Sequence, residues 1–205
     1  MVDHEQQPLK IKVIDFGLAV KDPAEYTGSV LQTLWYRAPE VILGAPFNEA
    51  IDVWSLGCIA AEILMNSVLF RGADEYDMIW HIYYKVGMAP EHMLYSGMYS
   101  EDFHNYSYTA KGEPVWKFKS SLEARKYKGY PPELNKLSDL LTYNVSPELS
   151  GEDLQADECD RVVFVDLLTK TLKVDDAERL TPSEILQHPF ITMNHLVGTL
   201  EHSSQ

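Results

Sequence analysis

The chain has 205 residues, 45% of them apolar, enough for one sizeable core and without the composition of a disordered chain. Lysine and arginine total 17 against 31 acidic residues, a formal charge of −14, so the general attraction to nucleic acid or an anionic membrane is missing. Cys58 and Cys159 lie far apart and match no metal-ligand or redox spacing, the usage expected of a reducing intracellular compartment.

The N-terminal Met-Val-Asp-His-Glu-Gln-Gln has no basic region followed by an apolar run, so no secretory signal is visible. Leu9 to Asp15 alternates charged and β-branched residues, which predicts a short strand with one buried face, ended by Gly17. Leu18 to Trp35 has no sustained period and reads as a long irregular segment, of the kind that is usually functional in a compact domain.

Asn48 to Met65 predicts a helix that is apolar on nearly every side and therefore central. Asp52, Ser55, Glu62, Asn66 and Ser67 interrupt the apolar stretch to which it belongs and argue against a membrane span. A more mixed helix follows over Asp74 to Val86, closed by Gly87 and Pro90. From about Glu91 to Asp160 the chain turns polar, aromatic and acidic, with Pro131 and Pro132 in the middle, and reads as an insert carrying short helices. Helical spacing returns through Val162, Phe164, Val165, Leu168 and Leu172. Thr181, Pro182 and Glu184 then stand where an N-cap, a first-turn proline and a capping-box glutamate belong. Residues after about Gly198 read as a frayed end.

Asp15-Phe-Gly17 alone is an ordinary strand-to-turn exit. Its order among other blocks makes it informative: Thr33-Leu-Trp-Tyr-Arg-Ala-Pro-Glu40, Asp52-Val-Trp-Ser-Leu-Gly57, Arg179-Leu-Thr181 and His188-Pro-Phe190 follow in turn. In order and spacing the chain resembles the eukaryotic-type protein kinases, over nearly its whole length. Trp35-Tyr-Arg-Ala-Pro-Glu40 and the long insert are similar to the group containing cyclin-dependent, mitogen-activated and dual-specificity tyrosine-regulated kinases. A narrower resemblance is to the homeodomain-interacting protein kinases. It is carried by Lys12-Val-Ile-Asp-Phe-Gly17, the run from Tyr36 to Phe47, Glu49-Ala-Ile-Asp52, Gly72-Ala-Asp-Glu-Tyr-Asp77, Glu123-Ala-Arg-Lys-Tyr127 and His188 to Leu196.

The resemblance implies a mainly α fold, like the C-terminal lobe of a kinase, with a short strand or hairpin at the start and the N-terminal lobe absent. It implies a partial kinase domain over 1–196, an activation segment over 15–40, an insert over about 88–160, and a frayed tail over 197–205. Asp15 would hold Mg²⁺ and, with Ile14, contact ATP; the competing reading is an aspartate that only caps its own turn. Thr33, Trp35, Tyr36 and Arg37 fall on the substrate-facing loop, where the family arginine steadies a backbone that accepts proline after the phosphorylated Ser or Thr. Thr33 would bond to the catalytic base, or serve as a plain loop residue. Trp35 and Tyr36 could equally be core aromatics. Glu40 and Arg179 would form a buried ion pair, and Asp52 would either favour its helix start or hold the catalytic-loop backbone.

The family's glycine-rich loop, phosphate-binding lysine, helix C glutamate and HRD aspartate all belong upstream of the DFG. A truncated chain, inactive alone and of doubtful Mg-ATP affinity, is therefore expected, with one flank of the central helix bare. The relatives' self-phosphorylated activation-loop tyrosine is replaced by Val30, with Tyr26, Thr27 and Ser29 as neighbouring hydroxyls. The expected partners are protein substrates or regulatory proteins, with ATP by family and neither nucleic acid nor membrane, in the nucleus or cytoplasm. A non-catalytic lobe acting as an interaction module is the competing reading, and an unrelated acidic interaction domain is a third.

Overall fold

The computed structural model describes residues 2–3, 10–124 and 134–194, with backbone alone for 2, 3 and 10. Among the described residues helices dominate. They are α1 (Pro39–Leu43), α2 (Ala50–Met65), α3 (Glu75–Val86), α4 (Glu91–Ser96), α5 (Ser100–Phe103), α6 (Gly151–Thr171), α7 (Pro182–Gln187) and α8 (Pro189–Thr192). Strands β1 (Val2–Asp3) and β2 (Lys10–Ile11) pair antiparallel, as do β3 (His104–Tyr108) and β4 (Pro114–Phe118). The tail over 197–205, Pro131 and Pro132, and Arg125 to Tyr127 of one family block lie outside the described residues.

The core gathers around α2. Trp54 is fully buried and stacks on Phe70, with ring centroids 5.5 Å apart, while Ile51, Cys58, Ala61 and Met65 of the same helix join the cluster. Gly57 lets α6 approach: a Cβ there would lie 2.9 Å from Leu172 Cδ2 and from Thr171 Oγ1, too close for a methyl group. Gly44 ends α1 in the left-handed region at φ 65°, and the chain beyond it receives the insert through Met98 N–H to Gly44 O (3.2 Å) and Tyr99 N–H to Leu43 O (2.9 Å).

Several elements differ from their sequence patterns. The first strand is shorter than Leu9 to Asp15, and Ile11, Val13 and Ile14 are all exposed rather than lining a buried face. The two-residue β1 pairs with it antiparallel, Val2 opposite Ile11 and Asp3 opposite Lys10. Helix α2, by contrast, has the bare flank that was expected, among the described residues: Asp52, Leu56, Ile59 and Ile63, which share one face at helical spacing, are exposed.

The insert contains a hairpin as well as short helices. Tyr106 and Trp116 face each other across the β3–β4 ladder, 4.9 Å between centroids, and Phe118 stacks on Tyr76 at 5.2 Å. Such aromatic cross-strand pairs stabilise a pleated surface, so the aromatic enrichment here is a strand signal. Helix α6 starts at Gly151, ten residues before the apolar spacing from Arg161 makes it visible. Its first turn carries Glu152 and Asp153, which favour the positive helix end, and that half stands largely clear of the core.

Candidate functional site

The segment from Asp15 to Glu40 runs as a loop punctuated by single 3₁₀ turns at Phe16–Leu18, Pro23–Tyr26 and Leu34–Tyr36. Asp15 caps the first of these. It is exposed and left-handed at φ 63°, and its carboxylate accepts from Gly17 N–H at 3.4 Å, the short-range bond that lets an aspartate hold this conformation. Ile14 beside it is exposed as well. No cluster of three or more potential metal-ligating side chains exists among the described residues, so Asp15 belongs to no ready-made protein cage for a metal there.

Thr33 is exposed, and its carbonyl accepts from Tyr36 N–H at 2.9 Å while its side chain makes no capping bond. Trp35 is 40% exposed and donates its indole N–H to Gly72 O at 3.0 Å. It therefore ties the loop to the approach to α3 rather than filling the core. Tyr36 donates to Glu62 Oε2 on α2 at 2.7 Å, and that bond, with burial, pushes the Tyr36 hydroxyl up to about 12.

Arg37 is the centre of the loop. Its guanidinium donates from Nε to Leu31 O (2.7 Å), from Nη2 to Gln32 O (3.1 Å) and from Nη1 to Glu75 Oε1 (2.7 Å). Gln32, between those two carbonyls and the turn, is left-handed at φ 60°, a conformation of order 1–3 kcal/mol above the common basins for such a residue. Its own amide opposes relaxation: Nε2 donates to Ile51 O (2.9 Å) and Ser55 Oγ (2.8 Å), and Oε1 accepts from Ala38 N–H (3.0 Å). Ser55 in turn donates to Tyr36 O at 2.8 Å. The loop is thus clipped to α2 through Gln32, Ser55 and Glu62, and to α3 through Arg37 and Glu75. Ser55 and Glu75 lie within family blocks but were given no role there, Gln32 and Glu62 lie in none, and only proximity in the fold reveals what the four do.

Glu40 and Arg179 meet in the core. Nη1 donates to Oε1 at 2.6 Å and Nη2 to Oε2 at 2.7 Å, a bidentate fork whose two sides are almost free of solvent. Arg179 spends its remaining donors on Lys173 O, Val174 O and Ala50 O, and its carbon Cζ sits 5.2 Å from the Trp54 ring centroid. Burial pushes the Glu40 carboxyl above its ordinary range while the guanidinium pulls it back. Asp52 lies apart from this group: it is exposed in the first turn of α2, with no side-chain hydrogen bond among the described residues.

Val30 is 76% exposed at the outer edge of the activation segment. The tip beside it is held from the insert, where Tyr99 donates its hydroxyl to Gly28 O at 2.8 Å. Cys58 is fully buried, and burial pushes its thiol well above the ordinary range, so it is inert as a nucleophile.

A buried Glu–Arg clasp closing an irregular, clipped loop onto a helical core, in the block order described above, is the layout of a protein kinase domain. The chain belongs to that family: the protein kinase domain model matches residues 1–191. Its curated relatives are homeodomain-interacting protein kinases. It is 41% identical over 208 residues to homeodomain-interacting protein kinase 2 of Mus musculus, covering 96% of this chain and 17% of that protein. It is 37% identical over 216 residues to homeodomain-interacting protein kinase 1 of Caenorhabditis elegans, covering 97% and 25%. It is 34% identical over 220 residues to homeodomain-interacting protein kinase 4 of Homo sapiens, covering 96% and 34%. The chain therefore spans between 17% and 34% of the length of these three relatives.

Proposed function

We propose that these residues are the substrate-reading and metal-holding part of a Ser/Thr protein kinase that transfers phosphate from Mg-ATP to proteins at sites followed by proline. The observation that carries this is the grip of Arg37 on the carbonyls of Leu31 and Gln32, with Gln32 left-handed between them. With both carbonyls committed to Arg37, the N–H of an ordinary residue after the phosphorylated Ser or Thr meets no ready acceptor. Proline has no N–H to leave unpaired, so it is favoured by default.

In this reading residues 1–196 form a C-terminal kinase lobe with its activation segment over 15–40. Asp15 contributes one carboxylate to Mg²⁺, whose other ligands come from nucleotide phosphates and water, and Ile14 packs against the nucleotide. The glycine-rich loop, the phosphate lysine and the HRD base have no counterpart in these 205 residues. Taken by themselves, then, they bind peptide but do not transfer phosphate. Two unpaired cysteines accord with action inside the cell, in nucleus or cytoplasm.

Titration of the isotopically labelled 205-residue chain with a Ser-Pro peptide and its Ser-Ala counterpart tests this. The expected result is tighter binding of the Ser-Pro peptide with amide shifts centred on Leu31, Gln32 and Arg37. Equal affinities, or shifts elsewhere, overturn the proline assignment. Incorporation of labelled phosphate into either peptide by this chain with Mg-ATP overturns its catalytic dependence on other residues.

A further inference from the structure

Glu75 stands in the first turn of α3, where an acidic side chain would ordinarily be explained by the positive helix end. Its partner gives it another role. Glu75 Oε1 accepts from Arg37 Nη1 at 2.7 Å, and the two side chains differ sharply in exposure, 9% for Arg37 and 45% for Glu75. The remaining bonds of the Arg37 guanidinium go to the neutral carbonyls of Leu31 and Gln32. A cation with so little solvent needs a counter-charge, and among the described residues Glu75 is the carboxylate within salt-bridge distance of it. The planar fork also transmits direction: fixing Nη1 on Glu75 fixes where Nε and Nη2 point, and these are the atoms that hold the left-handed step at Gln32.

The pair is also reachable. Arg37 and Glu75 together line a cavity of about 650 Å³, with Leu34, Tyr76, Phe103 and Lys119 among its other walls. Loss of the Glu75 charge can therefore be answered by water entering around the guanidinium, with the core intact.

We infer that Glu75 is a positioning residue for substrate selection: it sets the orientation of Arg37 and, through it, the discrimination between proline and other residues after the phosphorylated Ser or Thr. This rests on the Ser/Thr-proline function proposed above. With Glu75 neutralised, Arg37 is free to turn toward the cavity, and Gln32 O becomes available to accept from the N–H of a non-proline residue. The Ser-Ala peptide gains an acceptor that the Ser-Pro peptide cannot use, so selectivity falls without a general loss of binding.

The experiment is the same pair of peptide titrations on the full 205-residue chain, unaltered and as Glu75→Gln, with near-ultraviolet circular dichroism to check packing and Glu75→Asp as a charge-retaining control. The expected result is a Ser-Pro over Ser-Ala affinity ratio that falls by up to about tenfold, toward one, in Glu75→Gln, the scale of one charge-assisted hydrogen bond. Glu75→Asp retains part of the ratio. A ratio unchanged in Glu75→Gln, or a proportional loss of both affinities, overturns the inference and leaves the proline assignment standing. An unaltered chain with no preference overturns the proline assignment and this inference with it. If Glu75→Gln loses its packed signature, the measurement passes to Glu75→Asp, where a ratio equal to that of the unaltered chain counts against the inference and a reduced one supports it.

Discussion

Arg179 reaches Glu40 across 139 residues of sequence and binds both of its carboxylate oxygens, at 2.6 and 2.7 Å, where neither side chain is more than 1% exposed. The clasp joins the end of the activation segment to the turn before α7. It also places a guanidinium over Trp54, the largest side chain of the core. Geometry of this quality compensates the desolvation of two charges, which isolated burial would not allow.

The first prediction follows from that dependence. Arg179→Met strands Glu40 in the core and Glu40→Leu strands Arg179, so each single change should destabilise by about 3–5 kcal/mol. The double change should cost clearly less than the sum, because no uncompensated charge remains. Urea unfolding followed by tryptophan fluorescence reads all three. Additive losses would mean that the two residues act independently.

Acid should weaken the fold through a buried histidine. His81 is almost entirely out of solvent, neither ring nitrogen has a hydrogen-bond partner, and burial lowers it from 6.5 to about 4. The folded form thus keeps His81 neutral while the unfolded chain protonates it below pH 6.5. The stability is complete above that pH and falls as pH drops toward 4, by about 3 kcal/mol in all. His104, also lowered by burial, acts in the same direction. Stability curves at pH 7.5 and 4.5 for the unaltered chain and for His81→Phe provide the check. The variant should lose less stability on acidification, and parallel losses would rule His81 out as a contributor.

Metal and nucleotide binding should be weak. Asp15 is an exposed carboxylate with one short-range backbone partner, and no group of three or more potential metal ligands exists among the described residues. Mg²⁺ gives up its water reluctantly and needs phosphate oxygens held nearby. Calorimetric titration of the 205-residue chain with Mg-ATP should give little or no binding heat. Micromolar affinity that disappears in Asp15→Ala would show that these residues suffice for a nucleotide site.

The sequence made the family legible because five short blocks kept their order from Asp15 to Phe190, and that order does not depend on the bounds of individual helices. The substrate loop was legible only in outline. Arg37 could be marked from its block, but its three acceptors could not, because they depend on Gln32 taking a left-handed backbone that glutamine seldom adopts. Glu75 stood in a family block with nothing to connect it to Arg37, and Glu62 looked like a polar break in an apolar stretch. The hairpin over His104 to Phe118 and the first half of α6 were hidden for a related reason. Both elements leave much of one side in solvent, so the apolar periodicity that marks a buried face is weak in them.

The remaining prediction concerns α2, the central helix whose one flank was expected to be bare. It buries Ile51, Val53, Trp54, Cys58, Ala61 and Met65 but leaves Leu56, Ile59 and Ile63 exposed at 50%, 45% and 79%. Beside Ile63 a groove of about 490 Å³ opens between α2 and α6, floored by Ala60, Leu64, Phe164 and Phe190. Single exposed apolar side chains are common, whereas a contiguous strip running into an apolar groove favours association or precipitation. The isolated 205-residue chain should therefore lose solubility as its concentration rises. Ile63→Lys, on the most exposed of the three positions, should raise the soluble limit while changing unfolding stability by no more than about 0.5 kcal/mol, as a surface substitution does. Light scattering across a concentration series, paired with thermal unfolding, separates the outcomes. A chain that stays monodisperse without the substitution would show that the exposed strip is tolerated, and a large stability loss in Ile63→Lys would show that Ile63 packs against more of the protein than the described residues contain.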